Sequence, residues 1–365
     1  MEDKKLNPIE QLGREIEKIK NKEFNVYFFV ADTKGAPSGY ISYIYETALS
    51  LKGMGYNVHM LHQENEYVGL SSWAGDRYDV LPHHNIEKEN ISLSASDFLL
   101  IPELFSNVME KTIKVPCKRV VILQNYDFMT KVIPAGATWS DYGIRDCVCT
   151  TKRLHEIVTT AFPHMNARIV TPVVDNEVFE NVIKSKQLVV NIVAKDEADV
   201  NKIVKPFFWK FPMYKWVAFR DLRGLTKEEF LTALNESAIT VWVDKDTEFG
   251  YSAVEAIKCK NLVIGCVPNN APEWMVDESG DFTNRGIWYY DENDVHALIA
   301  GAIESFLKDS LHESITDGID STASLYTHTE FNDNIKKIYV DDIFDKHRLA
   351  LTIALNALEN NNLEK

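Results

Sequence analysis

The sequence predicts an α/β protein made of two doubly wound parallel sheets and a helical tail. Three observations carry that expectation. Short apolar runs alternate with longer helical segments, which is the rhythm of βαβ units. The rhythm halts at a polar stretch, Glu180–Lys186, and then restarts. The 365 residues also amount to about two ordinary domains.

Residues 7–22 read as a charged amphipathic helix, Asn25–Ala31 (NVYFFVA) as a buried strand and Tyr40–Gly53 as a helix. Gly53 and Gly55 stop that helix before strand Asn57–Leu61. Strands follow at Phe98–Ile101, Arg119–Leu123 and Asp146–Thr150, and a helix over Lys152–Thr160 leads to strand Ala167–Val170. The second half runs strand Leu188–Val193, helix Asp199–Trp209, strand Trp216–Phe219. Thr226 and Glu229 form a capping box for helix Lys227–Leu234. Strand Ala238–Val243, helix Ser252–Lys258, strand Leu262–Gly265 and helix Val295–Leu307 complete it, and the tail Asn334–Leu358 reads as helical. The expected domains are 1–183, 184–325 and a tail over 326–365. Sheets of this type bind ligands at the carboxyl ends of their strands, so two such halves imply a facing cleft.

Composition narrows the function classes. With 45% hydrophobic and 25% charged residues the chain is globular, which excludes a disordered chain, a collagen and a disulfide-stapled mini-protein. Against 39 basic residues stand 54 acidic ones, a formal charge of −15, so broad binding of a phosphate backbone requires a local basic patch. The charged N-terminus lacks the apolar run of a signal peptide, and no stretch reaches the ~20 apolar residues that span a bilayer. Five cysteines (Cys117, Cys147, Cys149, Cys259 and Cys266) fit neither a zinc knuckle nor a disulfide framework. Cys147 and Cys149 read as small buried hydrophobes on one side of a strand. A reducing cytoplasm is the expected compartment.

The most specific segment is Asp244–Trp274, DKDTEFGYSAVEAIKCKNLVIGCVPNNAPEW. A strand ends, a Phe249-Gly250 turn opens a helix, and Glu255 follows one turn inside it. Gly250 lets backbone approach a ligand, and the first amides of a helix are donors facing an anion. Glu255 is placed to accept hydrogen bonds from a diol. The plainer reading is an ordinary helix start with an acid that favours its dipole.

This segment resembles the signature of retaining glycosyltransferases of the GT-B fold, family 4. That signature has a glutamate, then Gly-Phe-Gly, then a second glutamate eight positions after the first. Glu255 matches the second glutamate, and the resemblance implies that it holds the ribose of a nucleotide. Phe249 and Gly250 match the Phe-Gly pair that faces the donor, with Tyr251 and Ser252 beside them. Thr247 stands where the first glutamate belongs and Glu248 occupies the usual glycine. Either Glu248 positions the donor sugar from a shifted turn, or sugar handling differs from the family pattern.

The resemblance extends from Asn25 to Leu307. Pro37-Ser38-Gly39 resembles the glycine loop that approaches the donor phosphates. Leu100-Ile101-Pro102-Glu103 and Gln124-Asn125-Tyr126-Asp127 resemble acceptor-side strand ends, which makes Glu103, Asn125 and Asp127 acceptor-side candidates. Relatives often carry a histidine near Asn125, and this chain has none there. Thr171-Pro172-Val173-Val174-Asp175 with Phe179 resembles the connector before the second domain. The family places an arginine and a lysine after the first strand of that domain; here Lys195 ends the run VNIVAK and Lys202 follows. A departing diphosphate needs cationic partners, and lysine keeps the charge while losing bidentate geometry. Arg220 and Arg223 lie where the second domain is shortened, within reach of the base or the phosphates.

Three further signals have plainer readings. Lys205–Trp216 (KPFFWKFPMYKW) interleaves basic and aromatic residues as a nucleic-acid or membrane surface does, yet core packing fits its periodicity better. Asp244-Lys245-Asp246 imitates a metal-binding D-x-D but reads as a loop, and His83-His84 read as an exposed Pro-bounded loop. No metal site and no cofactor are expected.

The resemblance implies a metal-independent, retaining transferase that takes a nucleotide diphosphate sugar, such as a UDP-sugar, and glycosylates an acceptor hydroxyl. Lys195, Lys202 and the helix amides near Gly250 then stabilise the diphosphate, Glu255 the ribose and Glu248 the sugar. The acceptor stays open between a glycan, a small molecule and a modified DNA base. The alternative class is a non-catalytic GT-B-like nucleotide-binding or scaffold protein in which Thr247 marks a lost sugar site. The leading helix and the tail are candidate contacts of a homo-oligomer, and the resemblance implies that the tail packs back on the N-terminal domain.

Overall fold

The computed structural model describes residues 7–174, 186–311, 321–322 and 324–363. The chain forms two compact units, Met1–Ser71 with Asp76–Thr171 and Thr329–Lys365, and Ser72–Gly75 with Pro172–His328. Residues 180–185 of the expected hinge, the 183/184 junction, Asp175 and Phe179 lie outside the described residues.

In the first unit, helix α1 (Pro8–Lys20) starts at Asn7, whose side chain and Glu10 complete a capping box. Its buried Glu15 accepts from the backbone N–H and hydroxyl of Ser96 at 3.0 and 2.6 Å. The strands are β1 (Asn25–Phe29), β2 (Asn57–His62), β3 (His83–Asn85), β4 (Phe98–Pro102), β5 (Lys118–Leu123), β6 (Asp146–Cys149) and β7 (Asn166–Ile169). They form one parallel sheet in the order β3-β2-β1-β4-β5-β6-β7. All of β4 is buried, as expected when helices cover both faces of a parallel sheet. Helices α2 (Gly39–Gly53), α3 (Ser71–Ala74), α4 (Ser106–Lys111), α5 (Tyr126–Val132) and α6 (Lys152–Ala161) connect the strands, α3 lying past Ser71 in the segment that belongs to the second unit.

Helices α7 (Glu197–Lys210), α8 (Lys227–Glu236), α9 (Tyr251–Lys258) and α10 (Val295–Leu307) belong to the second unit. Its strands are β8 (Gln187–Ala194), β9 (Ala218–Asp221), β10 (Ser237–Val243), β11 (Leu262–Cys266) and β12 (Ile287–Tyr289). They are parallel in the order β12-β11-β10-β8-β9, around a core that includes Phe207, Trp242, Ile257, Trp274 and Ile299. The capping box of α8 forms as read: Glu229 N–H donates to Thr226 Oγ1 at 3.2 Å, and Thr226 N–H to Glu229 Oε2 at 2.9 Å.

The tail comprises α11 (His328–Ile335), a π-helical stretch Lys336–Phe344 and α12 (Asp345–Leu363). Phe344 packs against Phe24, Tyr56 and Phe98, and α12 lies along α1. Arg168 of β7 donates to Asp342 of the tail and, at 2.7 Å, to Asp146.

Several local expectations are corrected. His83 and His84 do not lie in an exposed loop; they form β3, half-buried, with His83 Nε2 3.2 Å from Tyr45 Oη and His84 Nε2 3.0 Å from His59 Nδ1. The strand expected over Trp216–Phe219 runs over Ala218–Asp221, because Pro212–Tyr214 form a 3₁₀ turn that leaves Trp216 outside the sheet. Core packing describes only half of Lys205–Trp216: Phe207 is buried, whereas Trp209, Met213 and Trp216 are exposed. All five cysteines are free and buried, with the Cys147 and Cys149 sulfurs 3.8 Å apart. Among the described residues no helix is long and apolar enough to cross a membrane.

Candidate functional site

A doubly wound sheet opens a crevice where successive connections leave in opposite directions, at the carboxyl ends of the two strands involved. In the second unit those strands are β8 and β10, since the chain passes from β8 to β9 on one side and to β10 on the other. Lys195 follows β8 and Asp244 follows β10. The adjacent strand ends bring them together, Lys195 Nζ to Asp244 Oδ1 at 2.7 Å.

The turn after Asp244 is held by its own side chains. Thr247 Oγ1 accepts from Gly250 N–H at 2.8 Å, and the Trp274 indole N–H donates to the Phe249 carbonyl at 2.6 Å. Gly250 sits at φ +74°, in the left-handed region, and caps α9. A Cβ there would lie 2.9 Å from Trp242 Cζ2 and 3.3 Å from Trp274 Cζ2, so both conformation and space require glycine. Ala253 and Val254 N–H donate to the Gly250 carbonyl at 3.1 and 3.2 Å, and the amide of Ser252 stands ahead of them in the first turn of α9. Glu248 is buried, and Asn270 Nδ2 donates to its Oε1 at 3.5 Å. Asp246 accepts from Asn269 Nδ2 at 3.3 Å, so Asp244-Lys245-Asp246 is a loop whose carboxylates face different partners. Among the described residues no group of three or more His, Cys, Asp or Glu side chains is placed to hold a metal ion.

Glu255 is the fifth residue of α9, one turn inside the helix as its spacing implies. It is buried and ion-paired with Lys227, the first residue of α8. Lys227 escaped the sequence reading, although the capping box around it marked a helix start at a carboxyl strand end. Arg220 pairs with Glu236 at 3.0 Å, and Arg223 closes on Asp221 at 2.7 Å, both at the end of β9. Lys195 and Lys202 pair with different carboxylates. Lys202 lies on α7, pairs with Asp199 at 3.0 Å, and lines a depression of about 670 Å³ with Lys210, Lys245, Tyr290 and His296.

The corresponding crevice of the first unit lies at the ends of β1 and β4. Glu103 follows β4, and Tyr40 stands in the first turn of α2, behind Gly39 and its Ser38 cap. Glu103 is fully buried; Oε2 accepts from Tyr40 Oη at 2.8 Å and Oε1 from Asn125 N–H at 2.8 Å and Gln124 N–H at 3.3 Å. Gln124 Nε2 donates to the Tyr40 carbonyl at 3.0 Å. Asn125 caps α5 by accepting from Phe128 N–H at 3.1 Å, and Asp127 is half-buried beside it.

Burial pushes the Glu103 carboxyl up to about 8, and the Tyr40 and backbone hydrogen bonds only partly oppose the rise. A folded-state value above the unfolded one makes this group stabilising while protonated, and that stability is lost as pH rises from about 4.5 to about 8. Glu103→Gln removes the titration. Its urea midpoint, compared at the acid and alkaline ends of that window, is expected to fall less with pH than the parent's. Equal slopes would mean that Glu103 is ionised throughout.

No protein-family model matches the chain, and no curated protein is similar to it in sequence. Solved structures are similar in fold. Anabaena HepE in complex with UDP-glucose superposes with a TM-score of 0.61 at 10% identity, over 87% of this chain and 99% of that one. A sucrose-phosphate synthase from Thermosynechococcus elongatus gives 0.58 at 11% identity, covering 87% and 98%. An α-glucosyltransferase in complex with UDP and a 13-mer DNA containing a HMU base gives 0.52 at 12%, covering 90% and 98%. The two parallel sheets, of seven and five strands, and these full-length likenesses define the fold as GT-B, that of glycosyltransferases.

Proposed function

We propose that the chain is a glycosyltransferase that moves a sugar from a nucleotide diphosphate sugar, with UDP as the nucleotide, to an acceptor hydroxyl. The observation that carries this reading is the set of groups at the carboxyl ends of β8 and β10. Lys195 ends β8 beside Asp244, and the turn that follows Asp244 leads through Gly250 into the N-terminus of α9. Glu255 and Lys227 add a carboxylate for the ribose diol and a second cation. HepE and the α-glucosyltransferase, which share the fold, are described in complex with UDP-glucose and with UDP.

In this reading Lys195 and the α9 amides meet the diphosphate, and the negative charge that builds on it as the glycosidic bond breaks is neutralised without a metal. Glu248 positions the donor sugar. The acceptor hydroxyl attacks from the leaving-group face, which retains configuration and needs no protein nucleophile. Arg220 and Arg223 flank the base, and Glu103, Asn125 and Asp127 belong to the acceptor side. The acceptor is a glycan, a small molecule or a modified base in DNA.

A thermal-shift screen of nucleotides and UDP-sugars, followed by assay of donor hydrolysis and transfer, tests the reading. A ligand at 100 times its dissociation constant stabilises by about 2.7 kcal/mol. Glu255→Gln is expected to weaken UDP binding about tenfold or more, since a charge-assisted hydrogen bond contributes about 1.5–3 kcal/mol. Binding without hydrolysis or transfer of any UDP-sugar would favour the non-catalytic reading, in which the Thr247 hydroxyl serves only to hold the turn.

A further inference from the structure

We propose that the exposed side of Lys205–Trp216 is an anchor for an anionic lipid bilayer, with its apolar side chains in the headgroup boundary and its lysines on lipid phosphates. The proposal is independent of the donor site.

The segment ends α7 and turns through Pro212–Tyr214. Phe207 packs against Phe208, Phe211, Tyr214 and Phe219, so one side of the segment belongs to the core. The other side does not. Trp209 is 76% exposed, Met213 63% and Trp216 61%. Three large apolar side chains bare within eight consecutive residues mark an interaction surface more than scattered ones do.

Charge says what covers them. Between Val200 and Arg220 the sequence has no acidic residue but carries Lys202, Lys205, Lys210 and Lys215, within a chain of net charge −15. Among the described residues Lys205, Lys210 and Lys215 have no carboxylate partner, and Lys210 Nζ lies 3.3 Å from His296 Nδ1. The nearby acids are engaged elsewhere: Asp199 with Lys202, Glu292 with Lys245, and Glu304 with the Tyr214 hydroxyl.

Bare tryptophans interleaved with lysines that have no carboxylate partner match a headgroup boundary, where indoles sit at the interface and lysines reach anionic lipid. A nucleic acid fits less well. Pro212 and Met213 lie between the tryptophans in sequence and offer no ring for stacking.

The test is sedimentation of the full chain with vesicles of phosphatidylcholine, alone or with about one-third phosphatidylglycerol. The parent is expected to bind the anionic vesicles, with its tryptophan emission quenched by brominated acyl chains. The double variant Trp209→Ser, Trp216→Ser is expected to lose about tenfold or more in binding. Lys205→Glu with Lys215→Glu should abolish the preference for anionic lipid. Both pairs are exposed, so unchanged thermal unfolding is expected and separates lost docking from lost folding. Absence of binding at low ionic strength, or a tryptophan variant that binds like the parent, would overturn the proposal. So would patch variants that lose affinity for a DNA duplex while vesicle binding is absent.

Discussion

Lys195→Met is expected to lower turnover about 10²–10³-fold while raising the donor KM much less. The bound diphosphate is already charged, so Lys195 contributes some affinity in the ground state. As the sugar bond breaks, the distal phosphate gains further negative charge, and its attraction to the cation held beside Asp244 grows. Folding should be untouched. The side chain is 63% exposed, its partner is Asp244, and a surface pair of this kind contributes about 0–1 kcal/mol. Lys202→Met is the comparison, because Lys202 sits on α7 and pairs with Asp199 rather than with Asp244. If Lys202 also holds the diphosphate, its variant loses turnover to a similar degree. If only the Lys195 variant falls, Lys227 becomes the second cation to replace. A Lys195→Met protein with parental turnover would place the diphosphate elsewhere, with Arg220 and Arg223 next to be tested.

The alternation of buried strand and helix was legible because parallel strands covered on both faces read as continuous apolar runs. NVYFF of β1 and LVIGC of β11 are examples. The edge strands β3 and β12 were not legible. Each has three residues, and His83-His84-Asn85 offers no apolar run at all. In Lys205–Trp216, Phe207 faces the core and Trp209 solvent from the same helix α7, whereas Trp216 follows the Pro212–Tyr214 turn. In the candidate site, the Gly250 turn and the buried Glu255 could be read from local spacing. The Lys227–Glu255 pair could not, since the partners lie on separate helices 28 positions apart and only the packing of α8 on α9 brings them together. Thr247 departs from the glycosyltransferase signature that its segment resembles. Its hydroxyl has a structural use, accepting from the amide of Gly250.

Gly250→Ala is expected to cost about 2–5 kcal/mol of stability and to weaken donor binding more than tenfold at temperatures where the fold persists. Two costs add. A non-glycine residue at φ +74° loses about 1–2 kcal/mol. The new methyl would also lie 2.9 and 3.1 Å from Trp242 and 3.3 Å from Trp274, and overpacking of this kind costs about 1–3 kcal/mol. Neither ring has room to retreat. Both indoles are almost fully buried, and the Trp274 N–H is held by the Phe249 carbonyl at 2.6 Å. Relief must therefore come from the backbone, which carries Phe249 and the first amides of α9 out of place. Cost on this scale lowers the melting temperature by roughly 5–15 °C. Gly280→Ala separates the two costs: Gly280 has φ +88° but nothing within 4 Å of its would-be Cβ. It should lose only the conformational part and leave UDP binding unchanged. If Gly250→Ala melts and binds no differently from Gly280→Ala, the tryptophan cradle yields freely and the turn does not depend on glycine for its shape.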